Sequence, residues 1–292
     1  MDGALIVYKP RGMTSHDVVA RVRRVTRERS VGHLGTLDPA ATGVLPLLLG
    51  RLTRLAQFFE GREKEYAGEI RFGFATDTYD AAGERVGEFS PNAPERSAIE
   101  AALPRFRGRI RQTPPPFSAK KIGGVPAYKL ARQAKPVELQ PVEVEVREFE
   151  LVSLEGDRIR FRVVCSKGTY IRALAHDLGA AVGTGAHLAE LERTRVGEFT
   201  LADARTLEEL AALAERGGVE EALVPAHRLL PEMPAVVATA EAEAKLLQGR
   251  AANLAEFSRA PLVKVMAADQ RLVALGRRMA GSLFHPQMVF PK

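Results

Sequence analysis

The 292-residue chain has one cysteine and no tryptophan. The single Cys165 cannot form a disulfide within the chain, and the six histidines show no metal-type spacing, so we expect no bound metal and no redox chemistry. Apolar runs such as 43–50 are far shorter than the roughly 20 residues of a membrane-spanning helix, and no signal-peptide pattern follows the start. We therefore expect a cytoplasmic protein that does not enter membranes.

Acidic residues are missing from one long stretch. The net charge is +6, and between residues 103 and 135 there are nine lysines and arginines but no aspartate or glutamate. A second basic group falls on a predicted helix over residues 15–26 and just beyond it: Arg21, Arg23, Arg24, Arg27 and Arg29. Each group alone is equally typical of an ordinary solvated surface, but both together favour a nucleic acid partner.

Apolar patterning predicts an α+β fold. Short apolar runs indicate strands, and periodic runs indicate helices, but the two do not alternate as a doubly wound parallel sheet requires. A mixed, mainly antiparallel central sheet flanked by helices and loops is therefore expected. The predicted strands are 5–8, 69–74, 142–146 and 159–165, and the predicted helices are 15–26, 171–178 and 207–214.

A change of pattern near residue 230 predicts two domains, 1–230 and 231–292. Pro231 and Pro234 interrupt the chain, and a helix over 239–248 should end at Gly249. The runs 262–267 and 271–275 could form a hairpin around Asp269. These features predict a small, β-rich, barrel-like second domain.

The segment 112–136 predicts a long basic loop. It contains three consecutive prolines and a glycine pair, which disfavour continuous secondary structure, and its cations include Lys120. We expect this thumb-like loop to clamp a polyanionic partner. Just before it, Arg105, Arg107, Arg109 and Arg111 would share one face if that piece were a strand.

Asp38 is the one acid in the run GHLGTLDPAATGVLPLLLG. Gly32, Gly35 and Gly43 allow backbone turns or the close approach of a ligand, and Pro39 restrains Asp38 toward an extended backbone. A plain turn is the commoner reason for an Asp-Pro step. A nucleotide-triphosphate loop is disfavoured because no Gly-Lys-Ser/Thr ends the glycine run.

This run resembles the signature of the bacterial TruB family of tRNA pseudouridine synthases. Five further blocks are similar to that family in the same order: LIVYKPRGMTSHDVV, EKEYAGEIRFGFATDTYDAAGE, QTPPPFSAKKIGGVPAYKLAR, CSKGTYIRALAHDLG and LERTRVGEFTL. The resemblance implies the pseudouridine synthase fold and a PUA-like RNA-binding domain over 231–292. Phe117 stands where the family often has tyrosine, and Glu192 where a basic residue is more usual.

The resemblance also implies roles for individual residues. Asp38 would be the catalytic carboxylate, Arg172 its ionic partner, Asp80 the acid that holds Arg172, and Tyr66 the ring that stacks on the base. The implied substrate-binding residues are His33, Tyr66, Tyr170, Leu191, Lys9 and Lys120. For Lys9 we expect a supporting role, and His33 would occupy the space of an extruded nucleotide.

The function implied is isomerisation of the tRNA T-loop uridine, position 55, by a monomer that recognises the T-arm without a cofactor. An alternative from another class is an RNA-binding chaperone that folds tRNA independently of catalysis. A guide-RNA-dependent relative is a third possibility, disfavoured because the chain has no long extra arms for partner proteins.

Overall fold

The computed structural model describes residues 1–118, 120–122, 124–127, 133 and 139–291. The strands before residue 230 are β1 (Gly3–Lys9), β2 (Val31–His33), β3 (Thr42–Leu49), β4 (Lys64–Phe72), β5 (Ala75–Thr76), β6 (Arg85–Val86), β7 (Gly108–Gln112), β8 (Lys121–Ile122), β9 (Val125–Pro126), β10 (Val142–Glu155), β11 (Arg158–Cys165), β12 (Ala186–Val196), β13 (Phe199–Thr200) and β14 (Leu223–Val224). The helices there are α1 (Ser15–Thr26), α2 (Ala56–Phe59), α3 (Arg96–Ala102), α4 (Ile171–Ala181) and α5 (Leu207–Glu215).

A ten-stranded mixed sheet organises this part of the chain. Its order is β14-β1-β3-β12-β4-β11-β10-β7, with β2 paired to β3 and β13 to β12. All these pairs are antiparallel except β12 with β3, which is parallel. Helices α1 and α5 pack on β1 and β3, whereas α3 and α4 pack on β4, β10, β11 and β12. The predicted α+β class with a mainly antiparallel sheet is confirmed.

Two central strands, β3 and β12, were not predicted. In β3 every residue after Thr42 is buried, so the strand is a continuous apolar run without the period-two alternation that identifies a half-buried strand. In β12 charged residues interrupt the apolar ones: Arg195 pairs with Glu63 and Glu65, and Glu190 pairs with Arg11. The predicted strands 69–74 and 142–146 are longer than expected, beginning at Lys64 and ending at Glu155 respectively.

The predicted shared face of four arginines is wrong. Arg109 and Arg111 lie in β7 and are exposed, but Arg105 belongs to a 3-10 turn. The Arg107 guanidinium donates to the Phe149 carbonyl at 2.7 and 3.0 Å. Gly108 has a φ of +77°, which interrupts the extended backbone and separates the two pairs.

The small second sheet follows residue 230. Its strands are β15 (Ala235–Val237), β16 (Ala252–Asn253), β17 (Leu262–Met266), β18 (Leu272–Ala280) and β19 (Leu283–Val289), in the order β15-β17-β18-β19-β16, with helix α6 (Ala240–Leu247) packed against them. Thr239 caps the start of this helix by accepting from the Ala242 amide, and Gly249 follows its end at a φ of +76°. The predicted helix and the β17-β18 hairpin are confirmed.

The two sheets share a hydrophobic cluster. Met266, Leu272, Leu275 and Phe290 of the small sheet pack with the cluster that includes Phe59. The proposed boundary at residue 230 therefore falls between two sheets that bury apolar side chains against each other. No helix within the described residues is long and apolar enough to span a membrane.

Lys264 provides a polar link between the two parts. Its side chain is 4% exposed, and the ammonium group donates to the carbonyls of His227 at 3.0 Å and Leu229 at 2.7 Å. Burial lowers the pKa of Lys264 from its ordinary value. The hydrogen bonds attach β17 to the segment that precedes the small sheet.

We expect Lys264→Met to lower the free energy of unfolding by about 2 kcal/mol, because two buried carbonyls lose their donor. Urea denaturation followed by circular dichroism measures this loss. Lys245→Met is the control, since Lys245 lies in α6 and forms a surface ion pair with Glu241. Equal stability of the two variants would contradict the proposed link.

Candidate active site

The loop of residues 34–41 carries Asp38 between β2 and β3. Ser15, at the start of α1, bonds both backbone groups of Leu37: its hydroxyl accepts from the amide at 2.9 Å and donates to the carbonyl at 3.3 Å. The Ala41 amide donates to the Asp38 carbonyl at 3.1 Å, which closes a turn after the acid. The loop is thus attached to the first helix immediately before Asp38.

Lys9 supports the same loop from β1. It is fully buried, and its ammonium group donates to the carbonyls of Pro10, Met13 and Pro39 at 2.9, 2.7 and 3.3 Å. Burial lowers the pKa of Lys9 to about 8. All three ammonium hydrogens have carbonyl partners, so this placement favours the supporting role over direct substrate contact.

Arg193 of β12 holds the Asp38 loop in place, and the sequence analysis did not predict this role. This fully buried side chain donates to the carbonyls of Val44 at 2.8 Å, Gly35 at 3.0 Å and Thr36 at 3.3 Å. Within the described residues it has no ion-pair partner. Gly43 lies beside it, and a Cβ there would come within 2.3 Å of the Arg193 carbonyl oxygen. The sequence signal for this contact was Gly43, because a glycine allows the close approach of a neighbouring backbone.

The predicted Asp38, Arg172 and Asp80 come together as a chain of charges. Arg172 Nε lies 2.9 Å from Asp38 Oδ2, and Arg172 Nη1 lies 3.6 Å from Asp80 Oδ2. The arginine is 7% exposed and the Asp38 side chain 44%. Arg172 also donates to the carbonyls of Thr78 and Phe117 at 3.0 and 3.1 Å. The guanidinium group therefore presents one edge to Asp38 while the rest is held in place.

Asp80 is itself fixed by the turn that contains it. Its Oδ1 accepts from the Thr78 hydroxyl at 2.7 Å and from the Ala82 amide at 3.0 Å. Asp80 therefore belongs to a turn and also lies within ion-pair distance of Arg172. One carboxylate oxygen caps the turn and the other faces Arg172.

A ring stack attaches this turn to α4. Tyr79 has a φ of +65°, which is unusual for a bulky residue, and its ring stacks on His176 with centroids 3.8 Å apart and planes 12° apart. Burial lowers the pKa of His176 and raises that of Tyr79. Because His176 lies on the same helix as Arg172, the stack holds the arginine and its two turn ligands together.

A cavity of about 270 Å³ opens beside the ion pair. Asp38 and Arg172 line it together with Tyr66, Tyr170 and Leu191, so the structure brings together five of the predicted residues. Tyr66 is buried, and this burial raises the pKa of its phenol. Burial also raises the pKa of Tyr170. The cavity has aromatic walls and an acid at one side.

Gln112 connects the start of the basic loop to this cavity. Its buried side-chain amide donates to the Tyr170 carbonyl at 3.0 Å and accepts from the Tyr170 amide at 2.8 Å. Tyr170 is the residue immediately before α4. The two bonds fix the backbone where the cavity wall meets the helix that carries Arg172.

Three predicted binding residues do not line this cavity: Lys9, which supports the Asp38 loop, His33 and Lys120. His33 lines a neighbouring cavity of about 280 Å³, where its ring meets that of His16 edge to face at 5.5 Å. Burial lowers the pKa of His33, which favours the neutral imidazole. Lys120 is exposed and is not part of the cavity lining. Ten residues of the predicted basic loop lie outside the described residues: 119, 123, 128–132 and 134–136.

The arrangement suits chemistry that needs one ionised carboxylate next to a stacked ring. The Arg172 guanidinium forms an ion pair with Asp38 and orients the carboxylate at the edge of the cavity. The Tyr66 ring offers a flat apolar surface in the cavity lining.

Comparison with solved structures identifies the fold. The protein in an H/ACA ribonucleoprotein bound to a substrate RNA containing 2'-deoxyuridine is 27% identical, with a TM-score of 0.72, covering 99% of this chain and 85% of that one. A Cbf5-Nop10-Gar1 complex gives 30% identity and a TM-score of 0.69, with 96% of this chain and 79% of the other covered. The fold is that of the RNA pseudouridine synthases.

Sequence comparison gives the family. The TruB family pseudouridylate synthase N-terminal domain matches residues 23–171, and the tRNA pseudouridylate synthase B C-terminal domain matches 172–233. The tRNA pseudouridine synthase B of Solibacter usitatus is 48% identical over 99% of this chain and 100% of its own length. That of Aquifex aeolicus is 40% identical over 97% and 98%. The chain belongs to the TruB family of pseudouridine synthases.

We expect Arg193→Lys to lower the rate of pseudouridine formation about tenfold, because one ammonium group cannot replace the guanidinium bonds to the carbonyls of Gly35, Thr36 and Val44, and each lost charge-assisted bond is worth about 1.5–3 kcal/mol. Arg193→Met should lower both turnover and the unfolding temperature. Single-turnover pseudouridine formation and thermal melting measure the two effects. Wild-type turnover by the lysine variant would show that the loop does not depend on the guanidinium fork.

We expect Tyr79→Gly to lower turnover about three- to tenfold, because glycine tolerates the positive φ and the change removes mainly the ring stack, worth about 0.5–1.5 kcal/mol. Tyr79→Phe keeps the stack and should keep turnover. In the background of His176→Ala, Tyr79→Gly should have little further effect. Additive losses in that double-mutant cycle would argue against the stack as the positioning contact.

Proposed function

We propose that this chain isomerises the T-loop uridine of tRNA, position 55, to pseudouridine, with Asp38 as the catalytic carboxylate. The observation that carries the proposal is the 2.9 Å ion pair between Asp38 and Arg172 at the edge of a cavity lined by Tyr66. The relatives of similar length are named tRNA pseudouridine synthase B, which supports tRNA as the substrate.

The reaction fits the groups in the cavity. The bond between uracil N1 and C1' of the ribose breaks, the uracil rotates, and its C5 bonds to C1' while a proton leaves C5 and one is added at N1. No electrons are gained or lost, so a carboxylate, a stacking ring and a water-poor cavity suffice and no cofactor is needed. Tyr66 would stack on the uracil, and Tyr170 and Leu191 would line its site.

Recognition would rest on the shape and charge of a folded T-arm. A loop presents unstacked bases, and extruding one nucleotide costs a few kcal/mol, which binding must offset. His33, in the adjacent cavity, would take the space that the nucleotide leaves. Exposed arginines on or just after α1 add positive potential for phosphates: Arg21, Arg24, Arg27 and Arg29. We propose a stand-alone monomer acting in the cytoplasm.

The decisive experiment maps pseudouridine chemically on a defined T-arm hairpin incubated with the protein. Wild type should modify the T-loop uridine, whereas Asp38→Asn should form no product while its RNA affinity stays within about tenfold, because the change removes one charge and keeps the shape. Asp269→Asn, in the exposed turn of the β17-β18 hairpin, should behave as wild type. Product formation by Asp38→Asn would overturn the assignment.

The same variant separates catalysis from RNA folding. A chaperone activity independent of catalysis should survive Asp38→Asn in a tRNA-folding assay. If wild type leaves the T-loop uridine unmodified but accelerates folding, the substrate assignment fails and binding alone remains.

A further inference from the structure

Lys64 occupies the wall between two cavities. It lines the cavity that contains Asp38 and the neighbouring cavity that contains His33. It is also two residues before Tyr66 on β4, so both side chains project from the same face of the strand. A ligand stacked on the Tyr66 ring would therefore lie close to the Lys64 side chain.

The side chain is held without an anionic partner. A Cβ on Gly35 would lie 3.4 Å from Lys64 Cε, which shows that the aliphatic stem packs on the loop carrying Asp38. Burial, and secondly the nearby Arg193 charge, lower the pKa of Lys64, so the ammonium group lies in a partly desolvated, electropositive place. Burying part of a cation without a counter-ion is unfavourable unless a ligand supplies one.

The neighbouring carboxylates are already paired with other cations. Glu60 lies 3.6 Å from Lys167, and Glu63 lies 2.8 Å from both Arg147 and Arg195. Asp38 pairs with Arg172. Across the described residues, no carboxylate oxygen lies within ion-pair distance of the Lys64 ammonium group, although the residue lines both cavities.

We infer that Lys64 binds a phosphodiester group of the RNA strand next to the target nucleotide. This inference rests on the proposed function. A nucleotide whose base enters the Asp38 cavity brings its own backbone to the cavity wall, and the strand must continue past that wall. A lysine ammonium group is a compact point charge that suits a single phosphate oxygen, and its partial burial makes the contact stronger than one in bulk water.

The contact has a salt-dependent signature. Each phosphate neutralised on a single strand contributes about 0.7 to the slope of log affinity against log salt. In an Asp38→Asn background, which prevents turnover, Lys64→Met should lower T-arm affinity about tenfold and reduce that slope by about 0.7. Lys64→Arg should retain the slope, and Lys245→Met, at the exposed Glu241 pair, should change neither quantity. A melting curve of each variant checks that it is folded.

A neutral phosphate locates the contact without altering the protein. In a synthetic hairpin, methylphosphonate replaces each of the two phosphates that flank the target uridine, one at a time. One of the two replacements should weaken binding by the Asp38→Asn protein about tenfold yet have little further effect on the Asp38→Asn protein that also carries Lys64→Met. Additive losses at both positions would overturn the inference.

The outcomes also separate this inference from the proposed function. If the wild-type protein forms no pseudouridine on the hairpin, the proposed function fails. If it forms pseudouridine while Lys64→Met leaves the salt slope unchanged, the function stands and Lys64 makes no phosphate contact.

Discussion

The parallel pairing of β12 with β3 is the constraint on which the site depends. It brings Arg193 opposite Gly43 on one side, and β12 brings the same residue opposite Tyr66 of β4 on the other. The Asp38 loop enters β3 directly, so its position relative to Tyr66 is set by strand register. A slip of one residue would turn Arg193 away from the loop carbonyls and leave them without donors.

Two buried arginines stabilise the site in different ways. Arg172 faces Asp38 and Asp80, so its charge is offset by carboxylates, and the pair orients the acid. Arg193 is surrounded by backbone carbonyls, whose partial charges replace hydration. Such a group is costly to bury, and it persists because the loop and the guanidinium group satisfy each other.

Sequence patterns predicted the residues that line the cavity better than the residues that hold the Asp38 loop in place. Asp38, Arg172 and Tyr66 stand in long motifs that resemble a known family, and they meet as expected. Arg193 stands in a strand whose charges look like a solvated surface, because a one-dimensional pattern does not show which charge turns inward. Lys64 was not predicted for the same reason: the sequence does not show that its side chain packs on the Asp38 loop. Contacts between distant segments depend on register, and a sequence without an alignment does not specify register.

The site must hold a carboxylate beside a polyanion. An RNA backbone near Asp38 raises the electrostatic energy of the ionised acid unless fixed cations offset it. Lys9, buried below the loop, adds favourable coulombic interaction with Asp38, and Arg172 contacts it directly. Arg172 orients the acid through a direct ion pair, whereas a cation that lies across the cavity wall would hold the phosphate apart from it. Lys64 would be in that second position, which fits its lack of a carboxylate partner among the described residues.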